Sequence, residues 1–110
     1  MEEFKRIKGF KNLYLISNYG RVIKFYKSGR QIELKQYKQH NDYLVVHLWD
    51  GHGNRKKMRV NRLVAAHFIP DGRTEFKTQV HHLNNDIMDN KVWNLKWETQ
   101  VDNLRGRSFS

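Results

Sequence analysis

Short apolar runs broken by turn signals fill the first sixty residues, and they predict strands. Leu13-Tyr14-Leu15-Ile16-Ser17 runs into Asn18-Tyr19-Gly20, a turn sequence. Arg21-Val22-Ile23-Lys24-Phe25-Tyr26 reads as the next strand and Ser28-Gly29 as the next turn. Gln31-Ile32-Glu33-Leu34 alternates as a third strand. Tyr43-Leu44-Val45-Val46-His47-Leu48-Trp49 is the strongest candidate, because β-branched and aromatic side chains suit a pleated, half-buried surface. Asp50-Gly51-His52-Gly53-Asn54 then predicts a hairpin loop, with Lys56-Lys57-Met58-Arg59-Val60 as its return strand.

After this hairpin the period changes. Val60, Leu63, Val64, His67 and Phe68 recur at i, i+3, i+4, i+7 and i+8, the stripe of one short helix. His67 lies on that stripe, so a core or half-buried position is expected for it. The helix is expected to end before Pro70-Asp71-Gly72, with a polar loop over Thr74 to Thr78. Gln79-Val80-His81-His82-Leu83 reads as a short strand. Asn84-Asn85-Asp86 and Asp89-Asn90 bracket a turn-rich loop, and Val92-Trp93-Asn94-Leu95-Lys96-Trp97 reads as the returning strand, with Trp93 and Trp97 in the core. Thr99-Gln100-Val101-Asp102 matches a capping box, predicting a helix from about Gln100 to Arg105 that stops at Gly106. The expected architecture is α+β: a small N-terminal antiparallel β-sheet and a connecting helix packed on a strand–loop–strand–helix unit. The whole chain, 1–110, is expected to be one domain. It comprises a β module over 1–50, a hairpin and connecting helix over 51–78, and the ββα unit over 79–106.

Composition narrows the chemistry. The chain has 110 residues, with 38% apolar and 13% aromatic side chains, enough for one core. It has no cysteine, which excludes a disulfide scaffold, a cysteine zinc site, an iron–sulfur site and a thiol nucleophile. No apolar run reaches the roughly 20 residues of a membrane helix, and the N-terminus carries no secretory pattern, so the cytoplasm is the expected compartment. The net charge is +10. Residues 1–50 hold ten basic and five acidic side chains, residues 51–80 seven and two, and residues 81–110 four and four. The basic excess therefore sits in the first 80 residues and implies a polyanionic partner. The neutral last third carries the adjacent pair His81-His82. Arg55-Lys56-Lys57 and Arg59 are the densest basic run, suited to tracking phosphates or forming a solvated hairpin. Arg21, Lys24 and Arg62 are candidates of the same kind. His40, His47 and His52 are assigned no role.

Within the ββα unit, His82 precedes Asn94 by twelve residues and Asn103 by twenty-one. The run V-H-H-L-N-N-D-x-x-D-N…W-N-L-K-W-E-T…D-N resembles the His-Asn-His (HNH) nucleases with their ββα-metal site. Val60-Asn61-Arg62-Leu63-Val64-Ala65-Ala66-His67-Phe68-Ile69-Pro70 is similar to the helix before that site in one branch of the family. Phe4-Lys5-Arg6-Ile7-Lys8-Gly9-Phe10 and Tyr14 to Val22 resemble the small module that precedes HNH sites in phage homing endonucleases. The resemblance covers about residues 3–104. It implies a metal-dependent endonuclease of phage or mobile-element type, leaving 5′-phosphate and 3′-hydroxyl ends on DNA. It implies nicking by a monomer and double-strand cleavage only by a dimer. His82 matches the general base, and Asn94 the central Asn that braces the loop between the strands. His81 stands at a metal-ligand position where most members of this branch have Asp, and Asn103 matches the second ligand. One divalent ion is implied, Mg²⁺ or Mn²⁺, with Zn²⁺ or Ni²⁺ favoured more by an imidazole ligand than by a carboxylate. The other reading is a catalytically silent DNA-binding module of the same fold. DNA is the expected partner, a second copy of the chain or a phage protein stands as a further one, and no membrane is expected.

Overall fold

The structure, a computed structural model, describes residues 1–69 and 77–99. Tight turns make its first sheet an antiparallel meander of β1 (Phe4–Arg6), β2 (Tyr14–Ser17), β3 (Val22–Phe25) and β4 (Gln31–Glu33). The β2–β3 turn needs Gly20 at φ +88°, a conformation that costs a side-chain-bearing residue and that glycine takes freely. Buried Ser17 holds the same turn, its Oγ accepting the N–H groups of Tyr19 at 3.1 Å and Arg21 at 3.0 Å. A second sheet pairs β5 (Tyr37–Lys38), β6 (Leu44–Trp49) and β7 (Arg55–Arg59) in that order. Helix α1 (Val60–Phe68) follows β7 directly and carries the predicted stripe. The hairpin of β8 (Lys77–His82) and β9 (Leu95–Thr99) pairs Val80 with Trp97, His81 with Lys96 and His82 with Leu95.

One apolar cluster joins these pieces. Ile7, Ile16 and Val22 come from the first sheet or its approach, and Val46 and Leu48 from β6. Val60, Leu63 and Val64 come from α1, and Leu95 from β9. Full burial of each such side chain contributes about 1.5–3 kcal/mol before chain entropy is counted. Polar bonds fix the relative positions. The Tyr14 hydroxyl accepts the Trp49 N–H at 3.0 Å across the two larger sheets. Trp97 Nε1–H donates to the Ile69 carbonyl at 3.1 Å, tying the hairpin to the end of α1. His67 is half-buried as expected; Nδ1 lies 2.8 Å from the Leu63 carbonyl and Nε2 accepts the Lys8 N–H at 3.3 Å.

Three expectations are corrected. Val92–Asn94 is a 3₁₀ turn and not strand, so β9 begins only at Leu95. The Leu83 N–H bonds the Asn94 carbonyl at 2.8 Å, and the Val92 N–H leaves the hairpin for the Asn18 carbonyl, also at 2.8 Å. Trp93 is consequently 59% exposed, while Trp97 is buried. Trp93 packs edge-on against Tyr19, ring centroids 5.3 Å apart. Strands β1 and β5 carry no sequence signal: all their residues are exposed, and neither alternates. The polar loop expected over Thr74 to Thr78 is also shorter than expected, because Lys77 and Thr78 already belong to β8. Residues 70–76, the helix expected from about Gln100 to Arg105, and Asn103 lie outside the described residues.

Candidate active site

His82 is the last residue of β8, at the point where the chain turns into the 83–94 loop. Strand parity puts it on the face opposite His81. It is only 3% exposed and meets Tyr43, ring centroids 6.0 Å apart. Its Nε2 lies 2.8 Å from Asn90 Oδ1. An amide oxygen only accepts, so Nε2 carries the hydrogen and Nδ1 keeps its lone pair. Asn90 is itself 5% exposed. Its role is invisible in the sequence, because the contact closes across a loop rather than along a strand.

Asn94 holds that loop at both ends. Its Oδ1 accepts the Asn84 N–H at 3.0 Å, and its Nδ2 donates to Asn84 Oδ1 at 3.0 Å and to the Asp89 carbonyl at 2.9 Å. The residue is buried, so each of these groups would otherwise lose water without compensation. Asn84 Nδ2 also donates to the Asp89 carboxylate at 3.1 Å. Burial pushes the Asp89 carboxyl up, but donors from the Lys91 N–H, Lys91 Nζ and Asn84 outweigh it and hold it below the ordinary aspartate value.

His81 faces the other way, with Nδ1 3.9 Å from Glu98 Oε2. Glu98 was not anticipated from the sequence. It places a carboxylate beside the His81 imidazole. An imidazole nitrogen beside a carboxylate oxygen is a donor pair that divalent transition metals accept. Among the described residues no three His, Asp, Glu or Cys side chains converge as a full ligand set.

The seven basic candidates fall into different surroundings. Arg59 lies over the Tyr43 ring at 4.5 Å, so Arg59, Tyr43 and His82 form a continuous row. Arg59 and Arg62 line a polar cleft of about 270 Å³ with Tyr43 and Gln79. Lys24 and Arg55 line a separate groove of about 450 Å³ with Lys35, Tyr37, His47 and Trp49. Tyr37 and Trp49 are 50% and 41% exposed there. Lys56 and Lys57 are exposed on β7. Arg21 is held between carboxylates, 2.7 Å from Glu2 and 2.8 Å from Glu33. Its hydrogen bond to Glu33, then that to Glu2, raises its pKa. Its charge is therefore already matched within the protein.

Comparison with known proteins gives the chain's relatives and its fold. The NUMOD4 motif matches residues 2–49. The DNA endonuclease I-HmuI of Bacillus phage SP01 is 36% identical over 105 residues, covering 96% of this chain and 57% of that protein. An uncharacterized HNH endonuclease of Acanthamoeba polyphaga mimivirus is 30% identical over 99 residues, 90% of this chain and 24% of its own length. The chain thus spans little more than half of one curated relative and about a quarter of the other. A solved structure describing DNA binding and cleavage by the HNH homing endonuclease I-HmuI superposes with a TM-score of 0.83 over 96% of this chain and 57% of that one. The α+β fold is that of the I-HmuI structure, and the chain carries a NUMOD4 motif and is similar over most of its length to HNH endonucleases of which it spans only part.

Proposed function

We propose that the chain is a metal-dependent HNH endonuclease that hydrolyses DNA phosphodiester bonds, nicking one strand per active site. One observation carries this reading: a buried histidine at a strand end whose Nε2–H is committed to Asn90, leaving Nδ1 as a base. A second donor pair, His81 and Glu98, lies on the same strand pair, beside the point where β8 ends at His82 and the chain turns, so that both imidazoles can serve one phosphate.

His82 Nδ1 accepts a proton from the water that attacks the scissile phosphorus, and its Nε2–H stays on Asn90. The 3′-oxygen takes a proton from solvent as it leaves, giving the 3′-hydroxyl, and the imidazolium so formed returns its proton to solvent. Asn94 maintains the loop that carries Asn90. A divalent cation, when bound, would neutralise the charge that develops on the phosphate and leaving oxygen. His81 and Asn103 are its proposed holders. Arg59 and Arg62 suit the phosphates next to the cut. Lys24 and Arg55 suit phosphates farther away, with Tyr37 and Trp49 beside them, and Lys56 and Lys57 extend the same basic surface.

The test is cleavage of supercoiled plasmid with Mg²⁺, Mn²⁺, Zn²⁺ or Ni²⁺, beside His82→Ala. Open-circle product that requires metal, and a loss of at least about 10²-fold in His82→Ala with DNA binding retained, is expected. Cleavage that survives this substitution would overturn the assignment of the base. Salt-dependent binding without any product would favour the silent DNA-binding module.

A further inference from the structure

We infer that the Asn18-Tyr19-Gly20 turn of the N-terminal sheet is a positioning device for His82, acting through Asn90. The inference rests on the reading of His82 as the base and adds to it a route from the first sheet to the imidazole.

Four observations converge on the turn. Gly20 packs flat on Asn90: a Cβ at residue 20 would lie 3.2 Å from both the Asn90 Cβ and the Asn90 carbonyl oxygen. A side chain there would push Asn90 by a few tenths of an ångström, and the +88° φ strains any residue other than glycine. The Asn18 carbonyl accepts the Val92 N–H at 2.8 Å, fixing the chain two residues beyond Asn90. Tyr19 packs edge-on against Trp93. The turn is in turn rigid, held by Ser17 Oγ, by Gln36 Nε2 on the Gly20 carbonyl at 2.6 Å, and by reciprocal bonds between Asn18 and Glu3. Asn90 is therefore clamped from both sides, by Gly20 on its own backbone and by Asn18 through Val92. Its side-chain oxygen then selects one tautomer of His82.

A hydrogen bond chooses a tautomer only if the acceptor stays where it is. In the hairpin alone, Asn90 sits at the end of a loop whose other bonds are internal to the loop. The N-terminal turn supplies the external anchor. Gly20 and Asn90 are thus positioning residues, acting on the reaction only through His82.

The molecule contains its own control. The bonds of His67 require the opposite tautomer, because Nε2 accepts the Lys8 N–H and Nδ1–H must face the Leu63 carbonyl. Nitrogen-15 NMR of the histidine rings in the metal-free protein, at one alkaline pH, should show His82 protonated on Nε2 and His67 on Nδ1. Asn90→Leu should convert His82 to a mixture of tautomers and leave His67 unchanged. Asn90→Asp keeps an acceptor and should retain the Nε2 proton. Gly20→Ala should shift the His82 signals toward the Asn90→Leu pattern, again with His67 unmoved.

In the cleavage assay Asn90→Leu should lower kcat by about 10–100-fold at unchanged KM, in line with losses when an orienting partner is removed. Asn90→Asp should recover most of it. A His82 that keeps its Nε2 proton in Asn90→Leu would overturn the proposal. So would a Gly20→Ala protein whose His82 signals match the wild type. Equal shifts at His67 and His82 would mark a general loss of fold and would also count against it; Asn90→Asp, the gentlest variant, guards against that ambiguity. The NMR result stands whether or not the protein cuts DNA, so failure of the nuclease reading and failure of the brace are distinguishable.

Discussion

The two larger sheets bury Ile16, Val22, Val46 and Leu48 against α1, whereas the β8–β9 hairpin encloses His82, Asn90 and Asn94. Apolar contacts are non-directional, so the first region tolerates small shifts without losing its gain. Hydrogen bonds are directional, and a buried polar group without a partner is costly, so the second region works in one arrangement only. The charge divides similarly: the basic excess lies before residue 81, and the last thirty residues are neutral. On the proposed reading, this chain separates stability and polyanion attraction from chemical precision. The 18–20 turn is where the first region holds the second.

The strongest break of this comparison is Leu48→Ala, which empties a fully buried site on β6. Urea denaturation should show a loss of about 2–5 kcal/mol. The protein that remains folded should retain its cleavage rate. Asn94→Ala is the opposite case. It should cost about 1–3 kcal/mol in the same measurement, because three buried bonds disappear together. Its cleavage should fall far more than its stability, as the loop that carries Asn90 loosens. Equal loss of rate in the two variants would dissolve the distinction between the regions.

A smaller effect is expected from the double change Lys24→Ala and Arg55→Ala. The slope of log binding constant against log salt should fall by about 0.9 for each phosphate contact removed. The cleavage rate of bound DNA should hold. Arg21→Ala, whose charge is already matched by Glu2 and Glu33, should change that slope least of all the basic sites.

The smallest effect concerns pH. The folded Asp89 carboxyl lies below its ordinary value, so its support is present above the ordinary aspartate range and is lost as pH falls through the folded value. Amide signals of Lys91 and Asn84 should move in that acidic window before those of β6. Simultaneous movement would mean that the hairpin has no separate acid sensitivity.

The strands of the β6–β7 hairpin and helix α1 were legible because their periods differ, two against three to four, and because glycine and proline punctuate them. His82 and Asn94 stand out through the spacing that carries the resemblance, and the structure buries both in the hairpin. The returning strand was misread at Val92 to Asn94 because its alternation suits a strand, while the Asn94 side chain and the Val92 N–H bond elsewhere. Sequence periodicity cannot register such competition. Asn90 and Glu98 were missed for a related reason: each owes its place to a contact across the hairpin or its loop, with no local pattern to announce it. Nor did the sequence reveal that Arg21 is already paired, since Glu2 and Glu33 lie 19 and 12 residues away.

Strand β6 has one end in each of the two candidate DNA contacts. Tyr43, just before it, meets the His82 ring, and Trp49, its last residue, lines the groove with Lys24 and Arg55. Six residues of extended chain span about 20 Å, or about six nucleotide steps of B-form DNA at 3.4 Å each. On the proposed reading the strand would serve as a ruler. A duplex held at both ends would be cut at a fixed offset from its grip, set by the length of one covalent segment. Lengthening β6 and β7 together by two residues, which preserves the inward and outward faces, should move the cut by about two nucleotides relative to the footprint.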